Sequence, residues 1–393
     1  MTAEGYVFTH PVHDADAHLV ETPDWLEPYA DPDVARRLRP IPVQRMTPDV
    51  PADVEIERWR LRHWDPADGP AAEREIMARK AWAAMGSFIK EHRPRALDLL
   101  GFSTQLVSTT LLSYYLFEAE HGGDDDFAYG YARAHNRGIV DFCSLDPRLL
   151  PVGYVPLADF TRAAAMADEA IGMGCKALRI SQSCPRGHSP SHVGLDPVWA
   201  RAQEAGVPIT FHVRENTGII DDAYYHNGAP PEPDFLGGGG ENYCSVNFMA
   251  IPRDAMQTVA TMIVDGVLDR FPGLRIGVLE MGASWLPGFM RYMDAGFEAF
   301  YKHERRLQRL SARPSEIVRR QVRVTPYSTE DVGWITAGVG EEVLMFGSDY
   351  PHVEGGRDPV KRFESTMGGL SVSAKRRFYC DNFVDMMGAA MPA

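Results

Sequence analysis

Short apolar runs alternate with amphipathic stretches along most of this chain. Apolar runs of this length are typical of buried strands, and the stretches between them have the spacing of helices. The predicted strands are Val12–His18, Leu97–Val107, Leu149–Leu157, Cys175–Ser181, Val207–Val213, Leu274–Met281, Val322–Tyr327 and Val343–Asp349. Strict alternation of strand and helix predicts a parallel sheet covered by helices. Eight such units predict a closed (β/α)8 TIM barrel.

The helical stretches also show where they end. They are Asp159–Gly174, Pro197–Gly206, Asp254–Phe271 and Leu286–Leu310, with shorter helical pieces in Ala71–Lys90. Gly174 and Gly206 each stand directly before a strand, where glycine is a common C-cap. The pattern therefore predicts clean helix ends there.

The chain is longer than a barrel of this kind requires, which predicts long insertions. A barrel of this kind needs about 250 residues, and the chain has 393. We expect a single domain over residues 1–393, with an insertion at about 22–95 and a long loop at about 214–252. Both segments follow strands, which places them at the C-terminal face of the barrel, where active sites are built.

Composition excludes several classes of function. The formal net charge is −14, from 54 acidic and 40 basic residues, and a field of that sign repels nucleic acid. No apolar run reaches the roughly 18 residues of a membrane span. The five cysteines show no paired spacing, which favours a reducing compartment. We therefore expect a cytoplasmic protein with no nucleic-acid or membrane partner.

The first strand carries a candidate for metal chemistry. Asp14, Asp16 and His18 recur at every second position and therefore share one face of the strand. If that face points into the barrel, Asp16 and His18 can hold one metal ion together. The alternative is a polar turn before the apolar pair Leu19-Val20.

Three more polar residues end apolar strands. His212 ends the fifth strand, Glu280 the sixth and Asp349 the eighth, and His352 follows on the loop. His212 taken alone has a structural alternative, and a buried Glu280 needs a cation, either a metal or an arginine. A site shared across the mouth of the barrel explains all of them together. The mixed carboxylate and imidazole set suits zinc, manganese or iron, as one or two ions.

Four stretches of the chain resemble a known family. They are His13–Glu21, Phe211–Val213, Phe271–Pro287 and Phe346–His352. They are similar to the amidohydrolase superfamily, in the branch with aminocarboxymuconate-semialdehyde decarboxylase and the resorcylate decarboxylases. The resemblance implies a distorted (β/α)8 barrel with a metal at the strand ends.

Residue by residue, the resemblance implies metal ligands at Asp16, His18, His212 and Asp349, with Asp349 also a candidate general base. Two positions depart from the family pattern. Many members have His-x-His on the first strand, where this chain has Asp16-x-His18. The decarboxylases have a histidine where this chain has Glu280, which we include among the metal ligands. The departures favour a harder, more anionic site.

Several reactions fit such a site. Our first hypothesis is a metal-dependent hydrolase that acts on a small organic substrate through a metal-activated water, with Asp349 and His352 as catalytic residues. A metal-dependent, non-oxidative decarboxylase of an aromatic or enoic acid would use the same parts. A non-haem iron or di-iron oxygenase is a third reading, and a metal-free binding protein is a fourth.

Substrate contacts are less well specified. Arg214, His226, Tyr350 and Arg357 lie near the predicted mouth and are our candidates for binding a substrate carboxylate or carbonyl. For each of them a surface or loop-stabilising role is the alternative. We also expect a homodimer or higher homo-oligomer.

Overall fold

The computed structural model describes residues 10–41, 50–213, 220–230 and 245–392. Seven parallel strands lie side by side in the order of the sequence. They are β1 (His13–Leu19), β2 (Thr104–Thr109), β3 (Leu149–Tyr154), β4 (Ala177–Arg179), β5 (Ile209–His212), β6 (Ile276–Leu279) and β7 (Val322–Val324). Every residue of these strands is buried. Burial on both faces is typical of a parallel sheet enclosed by helices.

The segment after β7 joins the two edges of this curled sheet. Leu344 forms a bridge to Val324 of β7, and Tyr350 forms one to Ala17 of β1. The backbone N–H of His18 donates to the carbonyl of Tyr350 at 2.7 Å. The predicted eighth strand, Val343–Asp349, is thus not a regular strand, although it occupies the closing position. The architecture is the expected distorted TIM barrel.

Helices follow most strands and cover the barrel. They are α1 (Pro32–Ala35), α2 (Ala52–His63), α3 (Gly69–Arg74), α4 (Arg93–Leu100), α5 (Leu112–His121), α6 (Asp125–Cys143), α7 (Phe160–Met173), α8 (Asp196–Ala205), α9 (Ser245–Ala250), α10 (Arg253–Val264), α11 (Val267–Arg270), α12 (Leu286–Phe300), α13 (Pro314–Gln321), α14 (Val332–Val339), α15 (Pro359–Thr366), α16 (Val372–Arg376) and α17 (Asn382–Met387). Among the described residues, none of these helices is long and apolar enough to cross a bilayer.

Local sequence explains the ends of the helices. Asp159 caps α7 by accepting a hydrogen bond from the backbone of Arg162, a favourable N-cap arrangement. Gly174, with φ of 112°, ends α7, and Gly206, with φ of 64°, ends α8. The left-handed conformation costs glycine little, so both predicted C-caps are confirmed.

Three predicted elements differ from the structure. The predicted strand Leu97–Val107 begins inside α4, so that only its last four residues belong to β2, and the helix Asp254–Phe271 is divided into α10 and α11 at Gly266, whose φ is 75°. The helix Leu286–Leu310 ends at Phe300, and a short 3-10 helix, Leu307–Arg309, follows. In each case an apolar pattern continues through a backbone turn, which periodicity alone does not detect.

Two long connections follow β1 and β5. The insertion after β1 contains α1 to α3 and returns through α4, which opens at Arg93. The loop after β5 contains a 3-10 helix at Asp222–Tyr225, then α9. Its glycine run, Gly237–Gly240, lies outside the described residues.

Candidate metal centre

The first strand brings two donors to the mouth of the barrel. Asp16 and His18 lie on β1, both are buried, and Asp16 Oδ1 is 3.3 Å from His18 Nε2. Side chains two residues apart project from one face of a strand. The predicted Asp-x-His pair is therefore held in place by β1 itself.

Two donors from strands five and six complete a compact group. His212 is the last residue of β5, and Glu280 directly follows β6. Glu280 Oε2 is 3.2 Å from His18 Nε2 and 3.1 Å from His212 Nε2, and Asp16 Oδ1 is 3.4 Å from His212 Nε2. One ligand atom of each residue lies within 4.8 Å of all the others in the set Asp16, His18, His212 and Glu280.

This spacing fits the first coordination shell of a divalent ion. Metal–ligand bonds of about 2.0–2.2 Å, at tetrahedral or octahedral angles, separate neighbouring ligand atoms by about 2.8–3.6 Å. Within the described part of the chain, no hydrogen bond satisfies the buried atoms Asp16 Oδ1, His18 Nε2, His212 Nε2 and Glu280 Oε2. Buried polar atoms almost always have a partner. We conclude that these four residues fit a divalent cation.

Two of the acidic residues are held in an unusual backbone conformation. Glu280 has φ of 50° and Asp349 has φ of 53°, a region that residues other than glycine rarely adopt and that costs about 1–3 kcal/mol. Glu280 is held there by hydrogen bonds from its N–H to Thr325 Oγ1 and from the hydroxyl of Tyr327 to its carbonyl, at 3.0 and 2.8 Å. The strain falls on two of the predicted ligands, as is common at functional sites.

The electrostatics of the group favour a bound cation. Burial opposes a charge on His18, but the carboxylates of Asp16 and Glu280 outweigh it and raise the pKa of His18 to about 10. Burial also opposes ionisation of Glu280, yet the imidazoles of His212 and His18 hold the pKa of Glu280 well below its usual value. Carboxylates that stay ionised when buried need a positive partner. A proton on His18 and a divalent ion compete for that role.

Asp349 and His352 form a second donor group beside the first. Asp349 Oδ1 is 2.8 Å from His352 Nδ1 and 3.6 Å from His18 Nε2. The imidazole of His352 stacks on that of His18, with ring centroids 4.0 Å apart. The two groups share His18 and Glu280. Because His18 Nε2 has a single lone pair and can bind only one ion, the two groups overlap as one site, and the number of ions stays a prediction.

Hydrogen-bond direction identifies the tautomer of His352. Thr110 Oγ1 lies 2.8 Å from the carbonyl oxygen of Leu19 and must donate to it, since a carbonyl only accepts. The same Oγ1 is 2.9 Å from His352 Nε2 and therefore accepts a hydrogen bond from it. Burial, with a smaller effect of the nearby His18, holds the pKa of His352 well below its usual value. The neutral ring thus turns the lone pair of Nδ1 towards Asp349 Oδ1, and a proton or a metal ion must lie between them.

Asp14, the third member of the alternating set, has another role. Its buried carboxylate accepts four hydrogen bonds, from the backbone of Asp16 at 3.2 Å, Gln105 Nε2 at 2.9 Å, and the backbone and hydroxyl of Ser348 at 2.8 and 2.6 Å. Asp14 therefore joins β1 and β2 to the segment that closes the barrel and carries Asp349.

A buried arginine of α4 extends this network. The side chain of Arg93 is fully buried, its Nε donates to Gln105 Oε1 at 3.1 Å, and its Nη1 donates to the carbonyl of His18 at 2.8 Å. The guanidinium also lies 5.2 Å from the ring centre of Tyr350. The end of the insertion thus fixes the backbone of one predicted ligand.

Gly355 provides a test of how closely this region is packed. A Cβ at Gly355 would collide with the carbonyl oxygen of Ser348 and lie 3.2 Å from Asp349 Cβ. We expect Gly355→Ala to displace Asp349 and to lower the free energy of unfolding by about 1–3 kcal/mol. Urea denaturation with a metal assay checks this. Gly369→Ala, where a Cβ meets nothing within 4 Å, is the control, and equal stability of the two variants would contradict the close packing.

The predicted substrate residues that the structure describes differ in their surroundings. Arg214 lies outside the described residues, and His226 and Arg357 are exposed. Tyr350 is fully buried, and its hydroxyl donates to the carbonyl of Met85 at 2.7 Å. The hydroxyl of Tyr350 thus binds the protein backbone, which does not agree with the predicted contact to substrate. Arg357 lines a cavity together with Gly356 and Arg362.

Two cations near the site were absent from the sequence prediction. Arg179 ends β4, is 3% exposed and donates to Ser113 Oγ. Burial and the charge of Arg179 oppose protonation of His212, although the carboxylates raise its pKa overall. The sequence did contain an indication for Arg179, because it is a charged residue inside an otherwise apolar strand. Lys80 belongs to the insertion, where no local pattern indicates a role.

Comparison with known proteins agrees with this geometry. A family model described as amidohydrolase matches residues 13–382, which is nearly the whole chain. The chain belongs to the amidohydrolase family. It is an enzyme, a hydrolase or a carboxy-lyase, and its buried acid and histidine groups could hold a divalent metal ion. No curated protein matches the chain.

Solved structures share the fold at low identity. An amidohydrolase from Mycobacterium avium subsp. paratuberculosis is 24% identical, with a TM-score of 0.73 over 97% of this chain and 100% of its own. The 5-carboxyvanillate decarboxylase of Novosphingobium aromaticivorans, complexed with manganese and 4-hydroxy-3-methoxy-5-nitrobenzoic acid, is 18% identical, with a TM-score of 0.63 over 98% and 99% of the two chains. The 2,6-dihydroxybenzoate decarboxylase from Rhizobium is 16% identical, with a TM-score of 0.62 over 96% and 99%.

Proposed function

We propose that this amidohydrolase-family protein is a metal-dependent carboxy-lyase that removes carbon dioxide from a small aromatic or enoic acid. The observation that carries the proposal is the contact between Asp349 Oδ1 and His352 Nδ1. Because His352 Nε2 already donates to Thr110, a proton between the other two atoms belongs to Asp349. Asp349 can then act as an acid beside the donor group.

The residues divide the work between them. Asp16, His18, His212 and Glu280 would hold the ion. When bound, a divalent ion supplies a positive charge that orients a carboxylate and a neighbouring oxygen of the substrate. The bond between carbon and the carboxylate breaks, its electron pair stays on the carbon, and the proton of Asp349 Oδ1 transfers to that carbon as carbon dioxide leaves. His352 Nδ1 accepts the hydrogen bond that holds this proton in position.

Two further observations support this reading. Glu280 in place of a histidine leaves the six-residue site with three carboxylates and three imidazoles, a set that suits manganese. Neighbours with the same fold include a 5-carboxyvanillate decarboxylase complexed with manganese and a 2,6-dihydroxybenzoate decarboxylase. The proposed reaction is non-oxidative and requires no added oxidant.

The direct test is carbon dioxide release. The manganese-loaded protein is incubated with a panel of hydroxybenzoic and enoic acids in deuterium oxide. We expect release of carbon dioxide, with one deuterium at the carbon that carried the carboxylate, and loss of both in Asp349→Asn with metal content retained. Metal-loaded protein that converts none of these acids, while it cleaves an amide, ester or lactone, would contradict the proposal.

A substitution of Thr110 tests whether His352 carries its proton on Nε2 during the reaction. Thr110→Val removes the acceptor of His352 Nε2–H without touching the donor groups, and we expect turnover to fall about 10–100-fold, as for other supporting residues. Bound metal should stay unchanged. Thr110→Ser keeps the hydroxyl and should restore most of the rate. A valine variant as active as the wild type would mean that His352 does not hold this tautomer during the reaction.

Hydrolysis is the second candidate, favoured by the mycobacterial amidohydrolase that matches over the full length of its chain. In that reaction Asp349 is ionised and takes a proton from water instead of giving one to carbon. The same site residues serve, so only the products separate the two reactions. Oxygen uptake by iron-loaded protein would instead indicate the oxygenase that the acidic ligand set also suggests.

A further inference from the structure

Two cationic side chains converge on one glycine next to the metal centre. Lys80 Nζ donates to the carbonyl of Gly356 at 2.6 Å. Arg362 approaches the same glycine, since a Cβ added to Gly356 would lie only 3.0 Å from Arg362 Nη1. Like charges placed this close repel one another. The pKa of Lys80 is lowered to about 8, mainly by burial and to a smaller extent by the charges of Arg357 and Arg362, while the carboxylates of Asp349 and Glu354 oppose this lowering.

The glycine pair that supports these cations is packed on the predicted acid. Gly355 is so close to Asp349 that a Cβ would lie 3.2 Å from that side chain, and Gly356 is its neighbour. The insertion reaches the same place, since the backbone of Ala81 donates to the carbonyl of Pro351 at 3.0 Å. Gly356, which Lys80 contacts, is therefore one residue away from the glycine that packs against Asp349.

Gly356 and Arg362 also line a cavity. It has a volume of about 520 Å³ and is lined by Gly356, Arg357, Asp358, Lys361, Arg362 and Ser365; we call it the basic cavity. Its lining holds three cationic side chains and one carboxylate, that of Asp358, which accepts a hydrogen bond from the backbone of Lys361 at the start of α15. A chain with a net charge of −14 thus keeps a local excess of positive charge there.

We propose that the basic cavity binds a second anionic group of the substrate, a carboxylate or a phosphate. The inference rests on the proposed function for what happens at the other end of the substrate, which reaches the donor groups near Asp349. Arginine guanidinium groups recognise carboxylates and phosphates through paired, charge-assisted hydrogen bonds. An anion between Lys80, Arg357 and Arg362 would also relieve their mutual repulsion.

Dicarboxylates of graded length are the probe. Glutarate, adipate, pimelate and suberate are titrated into manganese-loaded protein by calorimetry, each against the monocarboxylate of the same length. We expect at least one dicarboxylate to bind about tenfold more tightly than its monocarboxylate, as one charge-assisted contact allows. In the double variant Arg357→Gln/Arg362→Gln that preference should disappear, while monocarboxylate affinity and bound manganese stay unchanged.

Controls separate this inference from the proposed function. Lys302→Gln removes one exposed charge elsewhere and should keep the preference. Inorganic phosphate, titrated into the metal-free protein, should bind in the wild type and not in the double variant, which tests the cavity without any reaction. Equal affinities for every matched pair, or a preference that survives the double variant, would overturn the inference and leave the proposed reaction intact. Absence of carbon dioxide release with a normal preference would contradict only the reaction.

Discussion

His18→Ala is expected to abolish metal binding and activity together. His18 Nε2 lies 3.2–3.6 Å from the carboxylates of Asp16, Glu280 and Asp349 and belongs to both donor groups. Loss of an outer-shell partner alone weakens metal binding about 10–100-fold, so loss of this shared ligand should cost more than about 100-fold. Metal analysis of the purified variant after dialysis measures the effect.

His303→Ala is the matched control, because His303 is exposed and belongs to neither donor group. It should keep the wild-type metal content and turnover. The His18 variant should also respond differently to added metal, with no recovery of activity at concentrations that saturate the wild type. Full metal occupancy in His18→Ala would contradict the proposed metal site.

Asp14→Asn is expected to destabilise the barrel, although the two side chains have nearly the same shape. The Asp14 carboxylate accepts from four donors: the backbone N–H of Asp16, Gln105 Nε2, and the backbone N–H and hydroxyl of Ser348. The amide oxygen of asparagine can accept from the two backbone groups, and the Ser348 hydroxyl can turn to accept from the amide nitrogen, but Gln105 Nε2 then faces another donor. One buried donor without an acceptor costs about 1–3 kcal/mol, measured as the free energy of unfolding in urea on metal-free protein.

Two comparisons make this result specific. Asp33→Asn changes an exposed carboxylate that pairs only with Arg36, and it should alter stability by less than about 0.5 kcal/mol. Ser348→Ala removes one of the four donors and should cost about 1–2 kcal/mol. An Asp14→Asn variant as stable as the Asp33 variant would show that the closing segment is not held by this carboxylate.

Much of the barrel could be predicted because its signals are local. Strands buried on both faces appear as continuous apolar runs, and Gly174 and Gly206 mark helix ends through a conformation that glycine adopts cheaply. The errors occur where an apolar pattern crosses a turn, as at Gly266 and after Phe300. The eighth segment reads as a strand because it is buried, yet it closes the barrel through single bridges.

The composition of the buried donor groups was predictable, because a carboxylate or an imidazole at the end of an apolar strand is conspicuous. Asp16, His18, His212, Glu280 and Asp349 all belong to the buried donor groups, as the strand positions predicted. Assignment of roles within that set was harder. Asp14 has the same spacing as Asp16 and His18, but its carboxylate accepts hydrogen bonds from Gln105 and Ser348 and supports the closing segment.

Sequence alone thus determined the class of fold and the residue types of the buried donor groups, which could hold a cation, because strand periodicity and strand ends are properties of neighbouring residues. Only the tertiary structure decided which atoms meet. Thr110 fixes the proton of His352, Arg93 reaches His18, and Lys80 reaches Gly356, each across a separation in sequence that no local pattern records. These contacts arise when the barrel closes, and they determine where a proton or an anion can be held.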